Sequence, residues 1–472
     1  MPNVIAISGS SGVGKTTISN IFSLILGPQK SCQISGDDLH LWERGNENWK
    51  KITHLNPQAN NLELGKLHIS FLKEGKTISR RIYDHDTGKF SEHRSIDSKE
   101  WIIYEGLHAL YGEMPELADV RIFVETADDL KADWKIRRDI NKRGYTKQQV
   151  IDAITARKQD EISYIQPQKN SANVVVNFSK NNDRVEMSYV CYDKKNEPIM
   201  SQIKNFYDSM NGFVNLCKKL SLEPSLVQGK GGNVSTKIND MIIVTSSGQN
   251  MSDVTWEDGF CVCNMNSHIQ FEDEDSFLQV NRASKLFGHR HPSMELSLHR
   301  KAPQKYVAHT HPIHLNSILC SSESKEVLKS LFPNLEYDYV EYVSPGMHLY
   351  QKFDVTKSRI VFLENHGLVV SGQDENEVFD VTLGIDNACK EWILKNSRTH
   401  VGTKTSYANR HLFPDAVVFS KEILYISDQI LHNIHASGLT PKFLTEDQAF
   451  YISEMKAEKD RNESHHTNGR NR

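Results

Sequence analysis

One segment near the N-terminus constrains the fold of this chain more than any other. An apolar run, Val4–Ile7, leads into a turn with the pattern GxxxxGKT, and apolar residues at helical spacing follow. A strand, such a turn and a helix in this order predict a phosphate-binding loop, because the backbone N–H groups of the turn point at phosphate oxygens. The loop indicates that ATP and Mg²⁺ bind here. The predicted nucleotide-binding residues are Gly9, Ser10, Ser11, Gly12, Val13, Gly14, Lys15, Thr16 and Thr17.

The segments that follow alternate between apolar runs and helical patterns. Alternation of this kind favours an α/β domain built on a parallel sheet. Two predicted helices, Asp128–Arg143 and Lys147–Ile165, close the unit, and Pro167 ends the second of them. The further predicted strands are Cys32–Ser35, Ile102–Tyr104, Val120–Val124, Val174–Val176 and an edge strand, Val185–Tyr192.

Two acidic residues follow or end predicted strands at the edge of the sheet where the phosphates bind. Asp37 follows the second strand, and Glu105 ends the next one along the chain. Ligands of parallel sheets bind at the carboxyl ends of the strands, and a carboxylate there can accept the proton of an attacking hydroxyl, as kinases require. Asp37 is therefore a candidate base, with an Asx turn or a helix cap as the alternative. Glu105 is suited to hold Mg²⁺.

The predicted helix Asp128–Arg143 carries a stripe of charged residues. The spacing i, i+3, i+4 places five of them on one face: Lys135, Arg138, Asp139, Lys142 and Arg143. Such a stripe is either a solvated surface, with Asp139 and Arg143 as a surface ion pair, or a face that binds an anionic substrate.

A series of motifs runs in order through residues 1–178: GSSGVGKTT, GDDLHLWER, THLNPQANNLEL, FLKEGK, YDHDTGKF, YEGLHAL, WKIRRDINKRGYT and ARKQDEISYIQPQKNSANVVV. In these motifs the chain resembles the phosphoribulokinase and uridine kinase family, and phosphoribulokinases in particular. The resemblance implies a P-loop NTPase kinase fold in which Asp37 is the catalytic base, Lys15 and Asp139 are further catalytic residues, and Thr16 and Glu105 bind Mg²⁺. The sugar-phosphate-binding residues that it implies are His40, Arg44, Lys135, Arg138 and Arg143. Arginines suit a phosphate group better than a nucleoside.

The 21 histidines of the chain invite a search for metal ligands. His309 and His311 lie at positions i and i+2 of a predicted strand, so their imidazoles share one side of it. His366 lies at a turn between two apolar runs. Three histidine ligands leave an open coordination position, which is typical of a catalytic metal site. A competing pair, His289 and His291, is flanked by Gly and Pro and is interpreted as a loop.

Small turns near these histidines are suited to bind an anion, with ordinary turn chemistry as the alternative. Gly229–Gly232 precedes one predicted strand, and Met241–Val244 ends in the turn TSSG. Glu295 and His299 are four residues apart at the start of a predicted helix, a spacing that also fits a mere surface pair.

The motifs QGKGGNVS, VTSSG, HPSMELSLH, HTHP and ENHGLVV follow one another within residues 205–400. This part resembles the class II sugar-phosphate aldolases of the fuculose-1-phosphate aldolase, ribulose-phosphate epimerase and adducin group. The resemblance implies an α/β domain in which His309, His311 and His366 bind Zn²⁺ or another divalent transition metal, and Glu295 is the catalytic acid/base. It also implies a homo-oligomer, a tetramer formed through this domain. The implied phosphate-binding residues are Gly232, Asn233, Ser247, Gly248 and Ser293.

Composition bears on partners and location. The chain has 56 Lys and Arg against 60 Asp and Glu, and this near balance gives no reason to expect a nucleic acid partner. An apolar run of about 18 residues, which a membrane span needs, does not occur. Seven cysteines without a paired framework indicate a reducing, cytoplasmic location. The predicted organisation is a kinase domain at 1–182, an edge strand and linker at 183–202, an aldolase domain at 203–455 and a disordered tail at 456–472.

These features predict a bifunctional enzyme of sugar phosphates. The first domain would phosphorylate a ketose phosphate such as ribulose 5-phosphate, and the second would cleave or form a ketose 1-phosphate, with dihydroxyacetone phosphate and an aldehyde as products. Three alternatives stay open. In the first, the second domain is an epimerase or another lyase. In the second, it is a metal-free, adducin-like interaction module. In the third, the kinase domain acts on a nucleoside.

Overall fold

The computed structural model of the protein describes residues 1–181, 184–266, 270–353, 358–397, 410–419, 424–456 and 458–459. It divides the chain into two compact units, Met1–Asp208 and Ser209–Arg472. The boundary lies within one long helix, Glu197–Ser221, a few residues beyond the predicted start of the second domain at 203. Most of the predicted tail, 456–472, lies outside the described residues, but Glu458 within it is buried.

The first unit alternates strands and helices, as the sequence predicts. Its strands are β1 (Asn3–Gly9), β2 (Ser31–Ser35), β3 (Ile78–Arg80), β4 (Tyr83–Asp84), β5 (Lys89–Phe90), β6 (Arg94–Ile96), β7 (Trp101–Glu105), β8 (Val120–Thr126), β9 (Val174–Asn181) and β10 (Arg184–Cys191). Its helices are α1 (Lys15–Leu26), α2 (Leu62–Lys73), α3 (Met114–Leu117), α4 (Asp128–Arg143) and α5 (Lys147–Asp160), and α6 (Glu197–Ser221) begins in it.

The main sheet of this unit has the strand order β10-β9-β8-β1-β7-β2. Pairing is parallel from β2 to β9, and β10 joins the edge in antiparallel register with β9. The apolar run of β1 is fully buried, which explains why it reads as a continuous apolar segment. The predicted parallel α/β fold is confirmed. The carboxyl ends of β1, β2 and β7 meet at one edge and carry the phosphate-binding loop, Asp37 and Glu105.

The predicted helix Lys147–Ile165 is interrupted. Its regular part, α5, ends at Asp160, and one wide turn of π-helix, Glu161–Ile165, follows before Pro167. This turn directs the buried Glu161 carboxylate to Lys131 of α4, with Nζ and Oε1 2.9 Å apart. Apolar periodicity does not distinguish such a turn from a regular helix. Wide turns of this kind are frequent at functional sites.

The second unit is built on a larger sheet. Its strands are β11 (Asn233–Ile238), β12 (Met241–Thr245), β13 (Phe260–Asn264), β14 (Lys285–Phe287), β15 (Tyr306–Thr310), β16 (Asp338–Val340), β17 (Ile360–Leu363) and β18 (Gly367–Gly372). Its helices after α6 are α7 (Glu274–Ala283), α8 (Leu296–Lys301), α9 (Ile313–Leu319), α10 (Ser324–Leu331), α11 (Met347–Lys352), α12 (Glu375–Asn396), α13 (Pro414–Val418), α14 (Leu424–Ala436) and α15 (Glu446–Glu454).

The sheet of the second unit has the order β14-β13-β12-β11-β15-β18-β17-β16 and is antiparallel except between β16 and β17. In its register Asn233 of β11 lies opposite His309 of β15, and Thr310 lies opposite Leu368 of β18. The start of β11, the end of β15 and the start of β18 therefore meet at one edge. Helix α9 packs against α12 and α14.

Within the described part of the chain, we find no helix that has both the length and the apolar character of a membrane span.

Candidate active sites

The glycine-rich turn between β1 and α1 has the backbone of a phosphate cradle. Gly12 and Gly14 have φ values of 85° and 94°, which favour glycine. A Cβ on Gly14 would lie 2.9 Å from the Phe178 ring, so this position also lacks room for a side chain. Lys15 Nζ donates to the carbonyl of Ser10 at 2.8 Å, so its ammonium group folds back over the loop. Burial lowers the pKa of Lys15.

Thr16 and Glu105 come together beside this loop. The Thr16 hydroxyl donates to the two carboxylate oxygens of Glu105 at 3.1 and 3.2 Å. A hydroxyl and a carboxylate are ligands that Mg²⁺ prefers, so the donor set fits the predicted ion. Burial raises the pKa of Glu105, while the charge of Lys15 opposes this shift.

Asp37 lies in a short 3₁₀ turn that follows β2. Its Oδ2 is 3.0 Å from His85 Nε2, and its Oδ1 is 3.8 Å from His40 Nε2. Burial acts to raise the pKa of Asp37, but the hydrogen bond from His85 and the neighbouring charges hold it well below its usual range. The cap of this turn is Ser35, whose hydroxyl accepts from the Asp37 backbone N–H. The Asp37 carboxylate is therefore not occupied as a cap.

The adjacent carboxylate, Asp38, has a different environment. Its Oδ2 is 3.2 Å from an Arg80 guanidinium nitrogen, and both side chains are buried. Its Oδ1 accepts from the backbone N–H of Tyr83 at 2.7 Å. These bonds tie the turn after β2 to the strand pair β4–β5. Asp38 thus holds the loop in place, whereas Asp37 faces the site.

His85 connects Asp37 to the basic residues of the site, and the sequence reasoning did not select it. An Arg143 guanidinium nitrogen lies 3.1 Å from His85 Nδ1. The guanidinium of Arg44 donates to the backbone carbonyls of His85 and Asp86. The motif YDHDTGKF contains this histidine, so the family resemblance covers it, although the motif alone assigns no role to any of its residues.

The charged stripe of α4 is not a solvated surface. Asp139 is buried, and its Oδ1 lies 2.9 Å from Arg138 Nε and 3.2 Å from a guanidinium nitrogen of Arg143. Lys135 is also buried and lies 3.4 Å from the hydroxyl of Ser11. Burial lowers the pKa of Lys135 to about 7, and the charges of nearby arginines add to this shift. The structure therefore brings this stripe to the phosphate-binding loop.

In the second unit, the three histidines predicted as metal ligands form one buried cluster. His309 lies on β15, His311 follows that strand, and His366 lies in the tight turn between β17 and β18. One nitrogen of each imidazole lies within 4.8 Å of the other two. Among the described residues, this is the cluster whose donor atoms fit a metal ion. The competing histidine His289 is exposed.

The hydrogen bonds behind the imidazoles fit a divalent cation. His309 Nδ1 faces the carbonyl of Leu368 at 3.2 Å, and His311 Nδ1 faces Asp415 Oδ2 at 2.7 Å. Both partners are acceptors, so each Nδ1 donates its hydrogen to its partner and each Nε2 is left to face the cluster. The two Nε2 atoms are only 2.9 Å apart, close enough to bind one cation together. Burial lowers the pKa of His309 to about 4, which keeps the imidazole in its metal-binding neutral form.

Glu295 lies beside these ligands and is buried, which excludes the surface-pair interpretation. Its oxygens are 3.6 Å from His309 Nε2 and 3.9 Å from His366 Nε2. Asn233 Nδ2 donates to Glu295 at 2.6 Å, and Asn233 Oδ1 faces His299 Nε2. His299 is fully buried, and its Nδ1 lies 2.7 Å from the Ser235 hydroxyl. A chain of polar side chains thus fixes the orientation of the carboxylate.

The small turns predicted to bind phosphate are brought together at the same edge. The backbone N–H of Ser247 donates to the backbone carbonyl of His291, and that of Ser293 donates to the carbonyl of Thr245. These two bonds join the turn after β12 to the turn before α8. Gly248 has a φ of 69° and Gly232 one of 76°. The Asn233 side chain is already engaged by Glu295 and His299, which does not favour the predicted phosphate contact of this side chain.

Gly367, next to His366, offers a test of how tightly this cluster is packed. A Cβ there would lie 2.3 Å from the Thr310 carbonyl and 2.8 Å from the His311 ring. We expect Gly367→Ala to lower the free energy of unfolding by about 1–3 kcal/mol, as overpacking does, and to weaken metal binding. Gly384→Ala is the control, because that exposed helical glycine has nothing within 4 Å. The control is expected to be neutral or to stabilise by about 0.5–1 kcal/mol. Urea unfolding compares the two, and equal midpoints would contradict the expectation.

Comparison with known proteins assigns both units to families. Residues 4–184 match the family model "Phosphoribulokinase / Uridine kinase family", and residues 211–393 match "Class II Aldolase and Adducin N-terminal domain". The uridine kinase of Ligilactobacillus salivarius is 34% identical over 185 residues, which span 37% of this chain and 84% of that enzyme. The chain belongs to the phosphoribulokinase/uridine kinase family, and its second unit matches the class II aldolase/adducin family model. Both predicted relationships are confirmed.

Several relatives match only one unit. The phosphoribulokinase of Synechocystis sp. is 36% identical over 174 residues, which are 37% of this chain and 52% of that enzyme. The chain thus spans about half the length of the Synechocystis enzyme. Among solved structures, a class II aldolase domain from Thermoplasma acidophilum matches at 23% identity and a TM-score of 0.36, covering 39% of this chain and 93% of that one. The phosphoribulokinase from Rhodobacter spheroides matches at 23% identity and a TM-score of 0.35, covering 42% of this chain and 84% of that one.

Proposed function

We propose that the first unit transfers the γ-phosphate of ATP to a hydroxyl of a sugar phosphate, with ribulose 5-phosphate as the candidate acceptor. The observation that supports this most is the connection of Asp37, through His85, to Arg143 and Arg44. These contacts join the proposed base for the attacking hydroxyl to two guanidinium groups, which would bind the phosphate that the sugar already carries. Guanidinium groups bind phosphate in a planar, two-point geometry.

In this proposal Asp37 accepts the proton of the acceptor hydroxyl while the hydroxyl oxygen attacks the γ-phosphorus, and ADP leaves. Lys15 stabilises the charge of the β- and γ-phosphates. Mg²⁺, held by Thr16 and Glu105, supplies charge neutralisation between these phosphates when it is bound. Asp139 holds Arg138 and Arg143 in position for the phosphate of the sugar.

A nucleoside acceptor is the second candidate, and one observation favours it. The rings of Trp49, Tyr83 and His54 surround His40 at centroid distances of 5.6, 5.4 and 5.9 Å, and such a group could stack a base. The match to a uridine kinase also spans most of that enzyme. Initial rates with uridine and with ribulose 5-phosphate, separately and in competition, distinguish the two. A preference for uridine would overturn the sugar-phosphate assignment.

Lys135 gives the kinase a pH dependence near neutrality. Because its pKa is lowered to about 7, the ammonium group is charged below that pH and neutral above it. We expect the KM for the sugar phosphate to rise as the pH increases through 7, since one cation beside the phosphates is lost. Lys135→Arg stays charged, so its KM is expected to change less between pH 6 and pH 8. Profiles of kcat/KM for both proteins test this, and parallel profiles would contradict it.

For the second unit, we propose metal-dependent aldol cleavage or formation of a ketose 1-phosphate. The observation that supports this most is the approach of Glu295 to His309 and His366 at a cluster that fits a divalent cation. Zn²⁺ or a similar ion bound there supplies electrophilic stabilisation of charge on the C2 and C3 oxygens of the sugar. The turns at Ser247 and Ser293 lie at the same edge and are suited to hold the 1-phosphate.

The residues of the chain then have separate tasks in cleavage. The C3–C4 bond breaks, C4 becomes the aldehyde carbon as its hydroxyl releases a proton to solvent water, and the electron pair of the broken bond passes to C3. Glu295 delivers a proton to C3, and Asn233 with His299 holds that carboxylate in place. From ribulose 1,5-bisphosphate the products are dihydroxyacetone phosphate and glycolaldehyde phosphate. The product of the proposed kinase is thus a substrate for the proposed aldolase, within one cytoplasmic protein that we expect to be a tetramer.

Incubation of the purified protein with ribulose 1,5-bisphosphate tests the aldolase assignment. Dihydroxyacetone phosphate should form at a rate that a chelator abolishes and Zn²⁺ restores. An epimeric bisphosphate without triose phosphate would indicate an epimerase instead. Absence of bound metal after purification in the presence of Zn²⁺ would favour the adducin-like, non-catalytic alternative.

A further inference from the structure

A short segment after the family-matched region completes the histidine cluster. The aldolase/adducin match ends at residue 393, whereas residues 410–419, which include α13, lie against the cluster from outside that range. Asp415 in α13 is buried, and its Oδ2 is 2.7 Å from His311 Nδ1. The inference below rests on the proposed metal site and concerns what this segment adds to it.

The fit around Asp415 and His311 is close. A Cβ on Gly231 would lie 2.5 Å from Asp415 Oδ2 and 2.9 Å from His311 Nδ1. Glycine at position 231 therefore leaves the space in which the carboxylate and the imidazole meet. The loop before β11, the end of β15 and α13 thus pack at a single point, and that point is the ring of a predicted ligand.

The same segment also supports the turn that carries His366. Asn365, the residue before it, has a φ of 50°. Its side-chain amide donates to the carbonyl of Leu412 at 2.8 Å and to that of Lys442 at 2.7 Å. These two bonds hold a backbone conformation that a residue other than glycine seldom adopts. Residue 415 therefore contacts one predicted ligand, His311, and residue 412 contacts the neighbour of a second, His366.

We propose that Asp415 is a positioning residue of the metal site, which fixes the His311 ring with its hydrogen on Nδ1 and its lone pair on Nε2, directed at the cation. The carboxylate also makes the imidazole a stronger ligand, as acidic partners behind metal-binding histidines do. The second unit is then a class II aldolase domain whose metal affinity depends on a segment beyond the matched region.

The test measures Zn²⁺ affinity by chelator competition in the full chain, with Asp415→Asn and a matched control. Asp386→Asn is that control, because the fully buried Asp386 makes a bond of 2.8 Å to Nδ1 of His314, which is not in the cluster. We expect Asp415→Asn to weaken Zn²⁺ binding by about 10- to 100-fold and Asp386→Asn to change it by less than about twofold. Equal affinities of wild type and Asp415→Asn would overturn the proposal.

A second measurement does not depend on whether the variants fold. In the metal-free wild type, the ¹⁵N chemical shifts of the His311 ring should report hydrogen on Nδ1, and hydrogen on Nε2 would overturn the proposal. Failure of the wild type to bind Zn²⁺ would count against the metal site itself, and hence against the proposed aldolase as well. Normal Zn²⁺ binding by both wild type and Asp415→Asn would remove only the role of Asp415.

Discussion

Replacement of Asp37 by Asn is expected to lower the kcat of the kinase reaction by about 10²- to 10⁴-fold, the usual contribution of a general base. The carboxylate lies 3.0 Å from His85 and has a pKa well below its usual range, so it is ionised at neutral pH and ready to accept a proton. An amide of the same shape keeps the packing but cannot accept that proton. Release of ADP under saturating ATP and sugar phosphate measures the effect.

The neighbouring residue provides a matched control. Asp38→Asn breaks a buried ion pair with Arg80, and loss of one partner of such a pair costs about 3–5 kcal/mol of stability. We therefore expect Asp38→Asn to lower the urea midpoint more than Asp37→Asn does, since the Asp38 side chain is 3% exposed and that of Asp37 is 28% exposed. If Asp37→Asn retained more than a tenth of wild-type turnover, Asp37 would not be the base.

Replacement of His309 by Ala is expected to abolish aldol cleavage and to leave the kinase reaction intact. The imidazole is one of the three proposed ligands and lies 3.6 Å from Glu295, so its loss would remove a metal donor and a neighbour of the proposed acid/base together. Zn²⁺ affinity should fall by more than the roughly 100-fold that an outer partner can cause. Metal content and triose phosphate formation, measured on one preparation, show whether the two properties are lost together.

His289→Ala is the control for this variant, because His289 is an exposed histidine of the competing pair. It should bind metal and cleave substrate as the wild type does. Loss of metal in His289→Ala but not in His309→Ala would move the site to the competing pair.

Short-range patterns predict much of this fold. The strand, glycine turn and helix at the N-terminus are present, and α4 has the predicted bounds, Asp128–Arg143. These features are local, because apolar periodicity and turn chemistry act over a few residues. The wide turn at Glu161 was missed, since apolar periodicity does not distinguish it from a regular helix and its ion pair with Lys131 joins residues that are 30 apart in the chain.

In the candidate sites, too, local patterns predicted some features, whereas contacts between distant parts of the chain were missed. The residues selected by motif, such as His309 and His366, are brought together as predicted, because strand ends at one sheet edge converge. Asp415 was missed, since it is 104 residues from the histidine that it contacts, and spacing along the sequence does not indicate so distant a contact. Burial also could not be derived from spacing, so the Glu295–His299 pair and the stripe on α4 each retained a surface interpretation that the structure excludes.

The central claim, that the kinase product is the aldolase substrate, is tested most directly by ³¹P NMR of the purified protein with Mg-ATP, Zn²⁺ and ribulose 5-phosphate. The wild type should convert ATP to ADP and yield triose phosphate, whereas His309→Ala should accumulate the bisphosphate. A bisphosphate that persists with the wild type, or ATP that is not consumed, would contradict the claim.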